Sequence, residues 1–228
     1  MKIVKKTCAI AASVCFLLFT LLSLVDILCF SHSFYAYEYE KNDQAEVIGM
    51  SDDDLLKSTD ALLDYLKGIR EDIVVRVKVN GIDREVFTER ESLHMVDVRS
   101  LYQNAMKVRN ISGLLSLVLF FFIVTAWKKD RYTVLKDGFE NGLFMIGSCV
   151  VCILIWAIAD FNNFWMDFHY LFFDNDLFLL DPANSIMINM FPESFFFDLV
   201  LLIIVSFALI CCVCYFLIRK FERKELVQ

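Results

Sequence analysis

Residues Phe195–Ile218 read FFFDLVLLIIVSFALICCVCYFLI and contain one charged side chain, Asp198. A helix of about 20 apolar residues crosses the hydrocarbon core of a bilayer, because each residue advances it by roughly 1.5 Å. Three more runs meet this requirement, at Cys8–Phe30, Ile111–Trp127 and Asn141–Asp160. Runs of this length are poor candidates for helices in a soluble core. The sequence therefore predicts an α-helical polytopic membrane protein with four transmembrane helices.

Basic residues lie beside the spans in three segments of the chain. They precede the first span, fill the short loop between the second and third, and follow the fourth: Lys2, Lys5, Lys6; Lys128, Lys129, Arg131, Lys136; Arg219, Lys220, Arg223, Lys224. Because cytoplasmic loops carry an excess of lysine and arginine, both termini are predicted to be cytoplasmic. Residues 31–110 and 161–194 then lie outside the cell, and the second of these segments has no basic residue.

This orientation divides the chain into eight segments. They are 1–30, the N-terminal tail and first span; 31–110, an extracytoplasmic domain; 111–127, the second span; 128–140, a cytoplasmic loop; 141–160, the third span; 161–194, an extracytoplasmic active-site loop; 195–218, the fourth span; and 219–228, a cytoplasmic tail.

A β-hairpin is predicted within the extracytoplasmic domain. Asn80-Gly81 is a strong signal for a two-residue hairpin turn. Around that turn Lys78 faces Asp83 and Arg76 faces Glu85, which gives two cross-strand pairs of opposite charge. The other face is apolar and consists of Val75, Val77, Val79, Ile82 and Val86. The domain is therefore predicted to be α+β.

Helices are predicted on both sides of the hairpin. Ser51 is followed by three aspartates, which is the pattern of an N-cap with acids in the first turn. Leucines then repeat on one helical face up to Gly68. After the hairpin, residues 88–110 are predicted to be helical and to lead into the second span.

All eight cysteines fall inside predicted spans. The sequence thus offers neither a disulfide nor a cysteine nucleophile outside the membrane. Cys149-x-x-Cys152 has the spacing of a metal or redox motif, but within a span cysteine behaves mainly as a small apolar residue. We interpret these cysteines as packing residues.

The three histidines are all predicted to lie on the extracytoplasmic side. His32 lies where the first span ends and is interpreted as a polar anchor. His94 lies three residues before Asp97, so the two are neighbours on one helix face. His169 lies in the second outer segment, with acids nearby at Asp167, Asp174, Asp176 and Asp181. Histidine with adjacent carboxylates makes both regions candidates for chemistry.

Three acids are predicted near the outer ends of spans, namely Asp26, Asp160 and Asp198. Charges at membrane depth are costly and usually mark function. These residues either form a polar pocket that opens at the outer leaflet or are ordinary interfacial residues. The sequence leaves both interpretations open.

Two stretches carry recognisable motifs. The first is ERESLHMVDVR at Glu89–Arg99. The second comprises Phe168-His169, Phe172-Phe173, Asn175-Asp176, Leu180-Asp181-Pro182, Met190-Phe191-Pro192-Glu193 and Phe195-Phe196. With the four spans and the outer domain they resemble, over essentially the whole chain, the lipoprotein intramolecular transacylases (Lit-type) of low-GC Gram-positive bacteria. Two departures are visible, because the family usually has Trp where Phe178 stands and a second Asp where Ser185 stands.

The resemblance implies an enzyme, an O-to-N intramolecular acyltransferase of the plasma membrane with its active site on the extracytoplasmic side. Its substrate is a lipoprotein whose N-terminal cysteine carries a thioether-linked diacylglycerol. The sn-2 acyl chain would move from the glycerol oxygen to the α-amine, which gives a lyso-form lipoprotein. The implied partners are the diacylated lipoprotein N-terminus and membrane lipid, with no nucleic acid, obligate protein partner, cofactor or metal.

The candidate residues suit this chemistry. The amine must be neutral to attack and needs a base, whereas the departing glycerol oxygen needs an acid, and histidine serves both needs near neutral pH. His94 and His169 are the candidate catalytic pair, and Asp97 is expected to hold His94 in a useful tautomer. Candidates for substrate or oxyanion contacts are Arg90, Arg99, Asp176 and Asp181. The phenylalanines of the outer loop are expected to line a groove for acyl chains.

Other interpretations remain open at this point. One histidine could carry the acyl group covalently, which would split the reaction into two transfers. A zinc hydrolase could use His94 and His169, although no HExxH sequence occurs. The chain could also be a non-enzymatic membrane sensor or assembly factor whose outer domain binds a partner. Such a sensor would tolerate the loss of either histidine, whereas a transacylase would not.

Overall fold

The computed structural model describes residues 2–227, and most of them are helical. The helices are α1 (Lys2–Cys29), α2 (His32–Lys41), α3 (Gln44–Ile48), α4 (Asp52–Lys67), α5 (Glu89–Ala126), α6 (Arg131–Ala159), α7 (Phe161–Phe172), α8 (Ile186–Met190) and α9 (Glu193–Val227). Two strands, β1 (Arg76–Val79) and β2 (Ile82–Glu85), lie between α4 and α5.

Helices α1, α5, α6 and α9 are long and apolar enough to cross a membrane. Each covers one of the four predicted runs to within one residue, so the predicted number of spans agrees with the structure. Many of their large apolar side chains are exposed, among them Leu114, Phe144 and Phe216. Continuous exposed apolar surface is rare on soluble proteins and fits contact with lipid.

The chain folds into two compact units. The first, here called the helical unit, runs from the start of the chain to Ile27 and adds Met106–Ala159 and the residues from Val200 onward. The second, here called the histidine unit, consists of Leu28–Ala105 and Asp160–Leu199. The hairpin, the short helices and all three histidines belong to the histidine unit.

Small residues bring α1 and α6 together in the helical unit. A Cβ atom added at Gly138 would lie 2.5 Å from the carbonyl oxygen of Ala9, and one added at Gly142 would lie 2.8 Å from Cβ of Ser13. The Gly138-x-x-x-Gly142 spacing, a weak signal in the sequence, thus serves close helix packing within the chain. A buried cluster beside it includes Leu17, Phe139, Val150, Phe207 and Cys211.

Replacing Gly138 with alanine is expected to destabilise the protein, because the new Cβ would collide with the backbone of α1. Overpacking of this kind costs about 1–3 kcal/mol. Gly147→Ala is the matched control, since its Cβ would meet nothing nearer than 3.7 Å and alanine is the better helix former. Thermal unfolding in detergent micelles measures the difference, and equal melting temperatures for the two variants would contradict this packing.

The predicted hairpin is present in the histidine unit, with the expected register. Arg76 pairs with Glu85 and Lys78 with Asp83 across the strands. The turn lies at Asn80-Gly81, where both residues have positive φ. The valines predicted to face inward are buried: Val75, Val77, Val79 and Val86. Ile82 lies opposite Val79 across the strands and so shares their face, as predicted, but it is 68% exposed.

The helices predicted around the hairpin are also present. Ser51 caps α4, since its Oγ accepts a hydrogen bond from the backbone N–H of Asp54 at 3.1 Å. Gly68 ends that helix in the left-handed conformation, at φ 81°. Helix α5 begins at Glu89 and continues without interruption to Ala126, so one helix carries both His94 and the second apolar run.

The three acids near the span ends each have a structural partner. Asp26 pairs with Arg109, and Asp198 pairs with Lys41. Asp160 caps α7, because its carboxylate accepts a hydrogen bond at 3.1 Å from a backbone N–H in the first turn. These contacts favour the interfacial interpretation of the acids over a shared polar pocket.

Candidate active site

The histidine unit brings His94 and His169 together. His94 lies in the second turn of α5 and His169 in the last turn of α7. Their ring centroids are 6.0 Å apart, with the ring planes inclined by 33°. The two residues are 75 positions apart in the chain (169 − 94), so only the fold places them side by side. A substrate group between the rings could contact both.

Aromatic rings surround the pair. Phe173 meets His94 edge-on at 5.3 Å between ring centroids. Phe178 stacks on His169 at 4.9 Å, and Trp165 meets His169 edge-on at 5.0 Å. Phe173 and Phe178 are themselves buried. The histidines therefore lie against apolar walls.

The hydrogen bond on His169 defines its tautomer. Its Nδ1 lies 2.7 Å from the backbone carbonyl oxygen of Trp165. A carbonyl oxygen only accepts hydrogen bonds, so Nδ1 carries the proton and Nε2 of the neutral ring bears the free lone pair. Burial lowers the pKa of His169, and the bond to Trp165 opposes that shift. When the ring is neutral, Nε2 is therefore available as a base.

His94 is also held neutral. It is 7% exposed, and burial is the main reason that its pKa falls to about 4, with the neighbouring His169 adding to the effect. Arg90 lowers that pKa further, whereas Asp97 opposes the shift. Its buried Nδ1 has no hydrogen-bond partner among the described residues. Unsatisfied buried polar atoms are rare in proteins, and this one is a functional candidate.

Asp97 and Arg90 fasten the segment after α7 to α5. The sequence suggested a hydrogen bond from His94 to Asp97, but the carboxylate accepts one from Nδ2 of Asn175 at 2.9 Å. Arg90 donates to the backbone oxygen of Asp176 and lies 3.4 Å from its carboxylate. The hydrogen bond that Asp97 accepts thus comes from the loop. Its effect on the pKa of His94 is electrostatic.

The remaining candidates make structural contacts. The guanidinium of Arg99 lies over the ring of Tyr65, 4.5 Å from its centroid. Asp181 shapes a turn, because its carboxylate accepts hydrogen bonds from the backbone N–H of Ala183 at 3.0 Å and from Nδ2 of Asn184 at 2.7 Å. A role for either residue in substrate or oxyanion contacts stays a prediction.

Glu91, a carboxylate near His94 in the sequence, was assigned no role from the sequence alone. It is 0% exposed, and its carboxylate accepts a hydrogen bond from the hydroxyl of Ser185 at 2.6 Å. One signal was visible, because Thr88-x-x-Glu91 is a capping-box pattern. Nothing in the sequence connected it to Ser185.

Within residues 2–227, no group of three or more His, Cys, Asp and Glu side chains is arranged to hold a metal ion. The described donors thus lend no support to a zinc site built on the two histidines.

Comparisons with known proteins identify the family and the fold. A family model described as lipoprotein intramolecular transacylase Lit matches residues 10–196. The in meso structure of the membrane-integral lipoprotein intramolecular transacylase Lit from Bacillus cereus has the same fold, with a TM-score of 0.78 at 16% identity over 98% of this chain and 100% of that one.

Two further structures of the Bacillus cereus protein carry a substituted histidine. The arginine variant gives a TM-score of 0.65 at 18% identity, over 95% of this chain and 91% of that one. The alanine variant gives 0.66 at 18% identity, over 95% and 93%. A search among curated proteins found no match. Since the family model spans most of the sequence, this multi-pass membrane protein belongs to the lipoprotein intramolecular transacylase family.

Proposed function

We propose that this chain moves the sn-2 acyl chain of an S-diacylglyceryl cysteine to the α-amino group of the same cysteine. The observation that carries the proposal is the pair of histidines, His94 buried and His169 partly buried, whose ring centroids lie 6.0 Å apart beside apolar walls. Family membership supports it, because the family name denotes an acyltransferase that acts on lipoproteins. The products are an N-acyl lipoprotein and a free sn-2 hydroxyl on its glycerol.

The bonds and protons balance without water or a cofactor. The α-amine nitrogen attacks the ester carbonyl carbon and forms the amide C–N bond, while the bond from that carbon to the sn-2 oxygen breaks. A neutral histidine takes the proton from the nitrogen and becomes an acid. The proton then passes to the departing oxygen, either from the same ring or through its neighbour. Nε2 of His169 and the unpartnered Nδ1 of His94 are the atoms suited to these steps.

Asp97 has an electrostatic part in this scheme. Its charge favours the protonated form of His94, against the effect of burial. It therefore stabilises the imidazolium that forms when His94 takes up a proton, as the acid of a catalytic triad does. A histidine that carries the acyl group covalently would use the same free nitrogen and give the same product.

The apolar walls favour transfer over hydrolysis. Phe173 and Phe178 lie against the two histidines, so water has little access to the ester carbonyl. The α-amine, by contrast, is tethered to the same cysteine as the ester. Tethering of this kind raises the effective concentration of the nucleophile by orders of magnitude.

A diacylated lipopeptide incubated with the purified protein in micelles should keep its total mass, gain one amide and lose one ester. The reason is that nitrogen replaces oxygen on the same acyl carbon. Mass spectrometry with fragmentation measures both changes. Added isotopically labelled phospholipid should leave the product unlabelled. Loss of one acyl mass would indicate a lipase, and label in the product an intermolecular acyltransferase.

Reporter fusions after Leu66 and after Asp176 should be read as external, and fusions after Lys129 and at the C-terminus as cytoplasmic. The reason is the excess of basic residues in the segments proposed to face the cytoplasm. Enzymatic reporters that are active on only one side of the membrane make the measurement. A cytoplasmic signal at Asp176 would contradict an extracytoplasmic active site.

A further inference from the structure

A buried carboxylate lies one turn before His94 on α5, and the proposed transfer does not use it. Glu91 is 0% exposed. Its Oε2 accepts a hydrogen bond from the backbone N–H of Thr88 at 2.5 Å. Its Oε1 accepts two more, from the hydroxyl of Ser185 at 2.6 Å and from the backbone N–H of Met187 at 2.9 Å. Burial of a charge is strongly unfavourable unless donors of this kind satisfy it.

Glu91 does more than cap its own helix. With Thr88 it forms a reciprocal capping box, in which Thr88 Oγ1 accepts from the N–H of Glu91 at 3.3 Å. That arrangement uses one carboxylate oxygen. The other oxygen accepts hydrogen bonds from Ser185 and Met187, which lie outside α5. Ser185 in turn caps α8, because its hydroxyl oxygen accepts a hydrogen bond from the backbone N–H of Ile188 at 3.3 Å. A single carboxylate therefore joins the first turns of α5 and α8.

The α7–α8 loop, residues 173–185, carries two of the rings that hold the histidines. Phe173 lies against His94 and Phe178 stacks on His169. Helix α7 fixes one end of the loop, and Glu91 holds its other end at Ser185.

The other hydrogen bonds and ion pairs from α5 to this loop are exposed. The Arg90 and Asp176 side chains are 44% and 77% exposed, and ion pairs in water contribute little. Asn175, which binds Asp97, is exposed as well. Among these polar contacts, the one at Glu91 is buried and is therefore the strongest.

We propose that Glu91 is a positioning residue that holds the α7–α8 loop, and through it the His94–His169 pair, in the arrangement that acyl transfer needs. This inference rests on the proposed function. Displacement of reacting groups by about 1 Å can lower a rate by roughly 10²-fold. A residue with only a structural role would change the amount of folded protein and leave the turnover of that folded protein unaltered.

Glu91→Gln in the full-length protein tests the proposal, with Glu89→Gln as the matched control, because Glu89 is exposed two positions earlier on the same helix. Glutamine keeps the shape of the side chain, but its NH₂ group would face one of the donors that the carboxylate now satisfies. With a diacylated lipopeptide in micelles, kcat of Glu91→Gln is expected to fall about 10- to 100-fold. KM should change less than twofold, and the control should match the parent.

Fluorescence of Trp165 provides a readout that does not depend on activity. Its ring lies 5.0 Å from His169, and a protonated imidazole quenches tryptophan, so a pH titration in a Trp127→Phe, Trp156→Phe background reports on His169. Burial lowers the pKa of His169. If the loop loosens in Glu91→Gln, water reaches the ring and the midpoint of the titration should rise. Arg90 and Asp97, the charged groups of α5 beside the pair, are the same in both proteins.

An unchanged kcat with an unchanged midpoint in folded Glu91→Gln would overturn the positioning role. Inactivity of the parent protein toward the lipopeptide would instead overturn the proposed function. If Glu91→Gln does not fold, Ser185→Ala tests the proposal instead. It removes the hydroxyl that donates to Glu91 and leaves the Glu91 carboxylate in place. A smaller fall in kcat with a smaller rise in the midpoint supports the proposal, and parental values for both contradict it.

Discussion

Replacement of His94 or His169 by glutamine is expected to abolish most transacylation while the protein stays in the membrane at its parental level. A general acid–base group contributes about 10²–10⁴-fold to a rate, and the proposed proton transfers use both rings. The effects of the two substitutions on the rate should not be additive, because the loss of either ring already interrupts the proposed proton transfer. The double variant is therefore expected to resemble the more damaged single variant.

Mass spectrometry of lipoprotein N-termini from cells that express each variant measures the result, together with the amount of protein in the membrane. His32→Gln is the matched control, because that side chain is 71% exposed and lies beside Asp60, away from the aromatic walls. Full activity of His169→Gln would remove His169 from the mechanism. Lyso-form lipoprotein at parental levels in both histidine variants would remove both rings from the mechanism.

Features that depend on nearby residues could be predicted from the sequence. The hairpin is one, because Asn80-Gly81 determines the turn and the register then follows for Arg76 with Glu85. The four long helices are another, since length and hydropathy identify a span without knowledge of its neighbours. Short helices were missed, among them α2, α3 and α8, which have 10, 5 and 5 residues and are too short for a clear periodic pattern.

The partners of individual side chains could not be predicted in the same way. Asp97 lies one turn from His94, which suggested a hydrogen bond, but its carboxylate binds Asn175, 78 positions later in the chain. Asp198 pairs with Lys41 from α2, a helix that the sequence did not reveal. Spacing on a helix shows which residues share a face, whereas a tertiary partner depends on how distant segments pack.

For the His94–His169 pair, the sequence indicated the region but not the residues that contact the two rings. Each histidine stood out because acids lay near it in the sequence. In the structure, the groups in contact with the rings are aromatic, namely Phe173, Phe178 and Trp165. The nearby acids thus indicated the region. The pKa of His94, by contrast, is lowered mainly by burial.

The pKa of His94 leads to the second large expected effect, a loss of stability in acid. Burial lowers this pKa from 6.5 to about 4 in the folded protein. Between these two values the unfolded chain binds a proton that the folded protein does not, so stability rises with pH across this window. The contribution is complete above pH 6.5 and is lost as the pH falls through 4. It amounts to about 3 kcal/mol, and the lowered pKa of His169 acts in the same direction.

Unfolding of the purified protein in micelles at pH 7 and at pH 4.5 measures this effect. Carboxylates titrate over the same range, so the informative quantity is the difference between the parent and His94→Gln, which keeps every carboxylate. The parent is expected to lose about 2–3 kcal/mol more than the variant on acidification. His32→Gln, which leaves the buried pair intact, should respond like the parent. Equal losses in the parent and His94→Gln would mean that burial does not hold His94 neutral, and the base proposed for the amine would then need another source.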